Sequence, residues 1–164
     1  MSKKDLNELF HDTLKDIYYA EKKILSSLPK MAKSAQSAEL KAAFEKHESE
    51  TEGQIERLEQ VFELIDAPAR GKKCDAIEGL LDEGKEIMQD YKASPALDAG
   101  LLAAAQAVEH YEISRYGTLK AWAERLGLKE AASLLDETLR QEAKTDSDLT
   151  KIAEKVVNAN AQHA

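Results

Sequence analysis

Glu21, Glu50, Glu112 and Glu142 each fall inside an apolar stripe, near the middle of four different long predicted helices. Taking an unpaired carboxylate out of water is costly enough that the group normally neutralises or finds a cation. Four converging carboxylates cannot pair with one another as anions. Metal binding satisfies them together, with two divalent ions held inside a helical bundle. Neighbouring residues extend the set. Glu109 precedes Glu112 by three positions, His47 precedes Glu50 by three, and Asp146 follows Glu142 by four, so each shares a helix face with its partner. Carboxylates with imidazole are the donor set of iron and manganese. Carboxylates that bridge or chelate let two ions share one small cavity and adapt as the oxidation state changes. The expected ligands are Glu21, Glu50, Glu109, Glu112 and Glu142, with His47 and Asp146 as candidate additions. Iron is the expected metal and manganese the alternative.

The elements that must position these residues are legible from periodicity. Asp5-Leu6-Asn7-Glu8 reads as a capping box opening a helix whose stripe runs Leu6, Leu9/Phe10, Leu14, Ile17/Tyr18, Glu21, Ile24/Leu25, Leu28. Pro29 is expected to kink it near its end. The polar break Ser34-Ala-Gln-Ser37 supplies the N-cap of a second helix carrying Leu40, Phe44, His47, Glu50/Thr51, Gln54, Leu58 and Val61/Phe62. A basic, Gly-containing connection leads to a shorter helix over 75–91, with Asp75 and Glu78 as its predicted capping box. Ser94-Pro95 predicts the start of the next long helix, and Gly127 its end. The last helix carries Ala131, Leu135, Thr138/Leu139, Glu142, Thr145/Asp146, Leu149, Ile152/Ala153 and Val156, and 158–164 is expected to fray. Glu21 and Glu50 stand about fifteen residues either side of the first turn, roughly 22 Å from it, and Glu112 and Glu142 stand similarly about the second turn. Packing the two hairpins together brings all four glutamates to one layer. The expected fold is therefore an all-α antiparallel four-helix bundle, one domain over 1–164, with the short helix in the crossover between the second and third long helices.

The totals agree with such a fold. The chain has 164 residues, with 31 acidic against 23 basic side chains and a formal net charge of -8. That length supports a sizeable core, and the acidic balance argues against nucleic acid as a partner. A single cysteine, Cys74, excludes a disulfide framework and reads as a spare loop thiol. The N-terminus lacks an apolar signal region and no run is long enough for a bilayer, so a cytoplasmic protein away from membranes is expected. His110 is rotated off the Glu109/Glu112 face, and His11 and His163 carry no signal. Tyr18, Tyr111 and Tyr116 read as packing aromatics with the option of a hydrogen bond to a ligand carboxylate. Two bland alternatives remain: glutamates at stripe edges reaching solvent, and a buried ion network, for which no mid-stripe Lys or Arg is evident.

The pattern resembles the ferritin-like superfamily over nearly the whole chain. Glu109-His-Tyr-Glu112 followed by Glu142 is similar to rubrerythrin-type di-iron proteins. A closer resemblance is to the YciF-type bacterial stress-response family, carried by Tyr19-Ala-Glu-Lys22, Glu50-Thr-Glu-Gly-Gln-Ile-Glu-Arg57, Val108-Glu-His-Tyr-Glu-Ile113 and Tyr116-Gly-Thr-Leu119. It implies a ferritin-like bundle, usually a homodimer, with a dinuclear metal centre and a stress-linked role. The chain departs from the superfamily's Glu-x-x-His motif, because Gly53 and Thr145 stand where the histidines would be. Four functions follow as alternatives: a di-iron oxidase or peroxidase, a non-catalytic metal-binding or structural stress protein, a storage shell, and a metal-free interaction protein with protonated acids.

Overall fold

The computed structural model describes residues 4–162, so Lys3 and His163 lie outside the described residues. The chain forms α1 (Leu6–Ser34), α2 (Ala38–Leu64), α3 (Asp75–Asp90), α4 (Leu97–Arg125), α5 (Lys129–Ile152), a π-helical turn (Ala153–Val157) and α6 (Asn158–Ala161). Among the described residues there is no strand. The fold is an all-α four-helix bundle with the short helix α3 in the crossover, as the periodicity predicts.

Local chemistry sets most of the helix ends. The Asp5 carboxylate accepts from the Glu8 amide while the Glu8 carboxylate accepts from the Asp5 amide, closing the capping box. Ser37 caps α2 through the Leu40 amide. α1 runs through Pro29 and continues to Ser34. α4 closes on Gly127, whose φ of 76° is in the left-handed region, with Gly127 N–H donating to Glu124 O and Leu128 N–H to Ala123 O. The same motif ends α2, with Asp66 at φ 52° taking the place of glycine.

Three expectations at the element ends require correction. Asp75 and Glu78 form no capping box. Cys74 occupies the N-cap position of α3 without a side-chain bond to the helix amides, and Glu78 is drawn instead to Tyr19 and Lys23 of α1. Ser94 caps a turn through the Ala96 amide at 3.1 Å, and α4 begins two residues after Pro95. The chain past Ile152 stays helical to Ala161. The π turn lengthens the local repeat, so Leu149, Ala153 and Val157 face the core at spacings of four, and Val157 replaces the expected Val156.

Side-chain pairings fix the topology. Arg57 reaches Thr138, Gln54 reaches Glu142 and Glu50 meets Thr145, so α2 and α5 run antiparallel. Tyr116 meets Glu21, while Asp98 at the start of α4 accepts from the amides of Gln36 and Ser37 just beyond α1, so α1 and α4 are antiparallel too. α2 and α4 therefore run in the same direction, and the connection between them must travel the length of the bundle. α3 fills that connection and packs on α1 and α4. The linker before it is pinned to α1. Lys72 N–H donates to Lys15 O at 3.1 Å, and a Cβ on Gly71 would stand 3.0 Å from the Tyr19 Cβ. The core between the four long helices is filled by side chains such as Phe10, Leu14, Ile17, Phe44, Leu58, Leu101, Leu119 and Leu135. Each such burial contributes on the order of 1.5–3 kcal/mol.

Candidate metal centre

The oily core is interrupted at one level by acids. Glu21 from α1, Glu109 and Glu112 from α4 and Glu142 from α5 are all 0–1 % exposed, and His47 from α2 joins them at 4 %. Each lies on its helix's apolar stripe, so the packing that buries the neighbouring leucines and isoleucines carries these polar groups inward. His47, Glu109, Glu112 and Glu142 each offer a donor atom, and the four atoms lie within 4.8 Å of one another.

Two partners hold the cluster from outside. The Tyr116 hydroxyl donates to Glu21 Oε1 at 2.5 Å. Gln54 Nε2 donates to Glu142 Oε1. His47 Nε2 sits 3.0 Å from Glu109 Oε1, an ion-pair distance whose direction does not make a hydrogen bond. Beyond these contacts the donors are orphaned. Glu21 Oε2, both His47 ring nitrogens, Glu109 Oε2, both Glu112 oxygens and Glu142 Oε2 are buried without a hydrogen-bond partner. An orphaned buried acceptor is costly, and these converge on one another, as atoms around a cation would. The residues present thus fit a divalent metal by donor type, spacing and unsatisfied valence.

Electrostatics tell the same story for the metal-free chain. Burial, followed by the charge of Glu142, pushes the Glu21 carboxyl up to about 7. Burial and then Glu142, Glu21 and Glu109 raise Glu112 well above the usual carboxyl range. Glu109 is raised by burial and by Glu142. Burial disfavours a charge on His47, yet the Glu109 and Glu50 carboxylates outweigh it and hold the imidazole well above its ordinary value. Tyr116 is raised too, by burial and by Glu21 and Glu112, so it keeps the proton it donates. Protons do here what a cation would do: they neutralise acids that cannot all stay ionised.

Two of the expected residues stand elsewhere. Glu50 is at the rim, its side chain 18 % exposed, between Lys46 Nζ at 3.3 Å and Thr145 Oγ1 at 3.3 Å, with His47 Nδ1 at 3.9 Å. His47 and Lys46 hold it below the usual carboxylate range. Thr51, not Glu50, occupies the inward position. Asp146 does not join the cluster, which corrects that expectation. Its Oδ1 accepts from Gln106 Nε2 and meets His110 Nε2, each at 3.1 Å, on the outer face of α4 and α5. His110 is correspondingly exposed. The residue that spacing alone did not assign is Gln54. Its place in the α2 stripe, seven after His47, was the available signal. Of the other tyrosines, Tyr18 donates to Glu59 at 2.8 Å, and Tyr111 lies 3.0 Å from Cys74 Sγ, so the loop thiol is buried and not spare.

Comparison with known proteins agrees with this architecture. Protein YciF of Escherichia coli (strain K12) is 43 % identical over 164 residues, covering 99 % of each chain. The crystal structure of the E. coli stress protein YciF matches at a TM-score of 0.90 and 42 % identity, over 99 % of this chain and 100 % of that one. YcfI, a proposed structural protein from Rhodopseudomonas palustris, matches at 0.87 and 41 % identity, over 93 % and 99 %. The family model described as "Domain of unknown function (DUF892)" matches residues 5–162, and the chain belongs to that family.

Proposed function

We propose that this chain is a ferritin-like stress protein whose bundle holds two divalent metal ions, iron in the first place and manganese in the second. The observation that carries the reading is the set of orphaned donors on His47, Glu109, Glu112 and Glu142, buried and within 4.8 Å of one another. Glu21 would complete the set through its free Oε2, and Glu50 would close it from the rim. Tyr116 orients Glu21 and Gln54 orients Glu142, as hydrogen-bonded outer partners orient metal ligands elsewhere. Glu112, with both oxygens unpartnered, would be among the residues that hold the ions. Iron or manganese bound there would supply redox chemistry toward Fe(II), dioxygen or peroxide. The chain's own part is to hold the donors, exclude bulk water and keep the Tyr116 proton in place.

A second reading, a non-catalytic metal-binding or structural stress protein, is favoured by the enclosure of the cluster and by Gly53 and Thr145 at the positions of the missing histidines. On either reading the protein is taken as one domain over 1–164, a cytoplasmic homodimer without nucleic-acid partners. The acidic charge and the family resemblance support this, and among the described residues no helix is long and apolar enough to cross a membrane. Calorimetric titration with Fe(II) and Mn(II) tests the metal. Wild type and Asp146→Ala should bind two equivalents, and His47→Ala and Glu109→Gln should bind fewer. Equal stoichiometry in all four removes the assignment. Fe(II)-dependent consumption of dioxygen or peroxide then separates the catalytic reading from the structural one.

A further inference from the structure

We propose that the cleft between α1, α3 and α4 is the passage by which a small uncharged molecule of dioxygen's size reaches the buried cluster. Two cavities lie in line there. The outer one, about 180 Å³, opens among Lys23, Lys30 and Lys85 and has Met31, Leu81 and Val108 at its base. The inner one, about 20 Å³, shares those three base residues and Ser27, and adds Ile24 and Leu28. It ends on His47 and Glu109, two of the residues whose buried atoms lack partners.

Size and polarity define what fits. About 20 Å³ is room for roughly one water-sized molecule. A resident water needs two or more polar partners, and between the mouth and the cluster the Ser27 hydroxyl is the polar group that lines both cavities, among hydrocarbon and thioether side chains. A hydrated ion would have to shed its shell against that lining at prohibitive cost. Three lysines against the one carboxylate of Glu78, itself paired with Lys23, leave the mouth basic and further disfavour a divalent cation. Metal loading by this route is therefore excluded, whereas a neutral diatomic loses almost nothing on passing. Leu81 is the α3 residue that touches both cavities, so the crossover helix forms the roof of the passage. α3 can lie this close to α4 because Gly100 carries no side chain; a Cβ there would stand 2.6 Å from Ile87 Cγ2 of α3.

The passage is a property of the folded chain, and only its use by the cluster rests on the metal reading. The test separates the two. Methyl groups of the metal-free full chain are labelled, and their nuclear relaxation is compared under dissolved dioxygen and under nitrogen at equal pressure. Dioxygen is paramagnetic and marks the methyls it visits. The methyls of Ile24, Leu28, Leu81 and Val108 should show about twofold or more excess relaxation over those of Leu14, Leu58 and Leu135, which are buried and line neither cavity. No excess overturns the proposal. Leu81→Trp should abolish the excess at Ile24 and Leu28, and persistence there also overturns it. Leu81→Met is the control expected to keep it. In the same variants Fe(II) stoichiometry should match wild type, while the rate at which dioxygen consumes bound Fe(II) should fall about tenfold in Leu81→Trp, a barrier increase of about 1.4 kcal/mol. If neither wild type nor variant binds Fe(II), the metal reading fails and the methyl result still decides the passage.

Discussion

Glu112→Gln is the substitution in which protons, metal and stability can be read together. The Glu112 side chain is 0 % exposed, neither oxygen has a hydrogen-bond partner, and its carboxyl is raised well above the ordinary 4.5 by burial and by Glu142, Glu21 and Glu109. In the metal-free chain the folded state therefore holds a proton that the unfolded state releases. Its contribution to stability is fully present below 4.5 and is lost as pH rises from there toward the raised folded value. Each pH unit across that interval costs about 1.4 kcal/mol, a cost that a side chain neutral at every pH escapes. Glutamine is neutral at every pH, has nearly the same shape, and its amide can donate to the surrounding carboxylates. The metal-free variant should be more stable than wild type at neutral pH, by about 1.4 kcal/mol, or roughly 2–4 °C in Tm, for each pH unit above 4.5 over which the wild-type fold keeps the proton. Its urea-derived stability should depend on pH less steeply by about 1.4 kcal/mol per unit. Added Fe(II) or Mn(II) should stabilise the wild type by about 2.7 kcal/mol at a hundredfold excess over Kd and leave the variant nearly unmoved. A metal-free variant no more stable than wild type, with the same pH slope, would refute the reasoning.

Other substitutions probe the supports of the site and fold. Tyr116→Phe removes the 2.5 Å bond to Glu21 and leaves that carboxylate wholly unpartnered; urea unfolding of the metal-free protein should show a loss of about 2 kcal/mol. Asp98→Ala strips the Gln36 and Ser37 amides of their acceptors at 2.8 and 2.6 Å; the expected loss is about 3 kcal/mol, seen as a fall in Tm of roughly 6–12 °C, with Asp98→Asn recovering part of it. Asp66→Gly relieves a left-handed residue at φ 52° and should stabilise by about 0.5 kcal/mol in denaturant titration, with metal content unchanged.

The bundle was legible because its signals are local and periodic: a capping box at Asp5, Ser37 before α2, Gly127 after α4, and stripes broken by acids at matching heights. Glu21, Glu112 and Glu142 could be placed on those stripes by counting alone. Glu50 could not, because it is adjacent to Thr51 and a helix turns about 100° per residue; which of the two faces inward depends on how α2 is rotated against α5. Asp146 fails for the same reason, one residue past Thr145. The Asp75–Glu78 box was a sound local pattern overridden by a distant one, since Tyr19 and Lys23 are 59 and 55 positions away from Glu78 in the chain yet meet its carboxylate. Gln54 was visible as a polar residue in a stripe, but its partner Glu142 lies 88 positions further along.

The composition of the cluster explains why α2 differs from the other three helices. The fully buried carboxylates are Glu21, Glu109, Glu112 and Glu142, whose four negative charges would match the four positive charges of two divalent ions, provided His47 binds as neutral imidazole. A fifth buried acid would break that balance, in a region where an uncompensated charge is most expensive. α2 avoids it by giving the inward position after His47 to Thr51, whose hydroxyl donates back to His47 O at 2.7 Å, and the next to Gln54, which donates to Glu142. The acid it does carry, Glu50, is kept at the rim, where Lys46 compensates it. In the metal-free chain the same arrangement closes with protons and the His47 cation, at a cost set by pH. Charge matching thus accounts both for the acids that are present and for the position at which glutamine stands instead of one more.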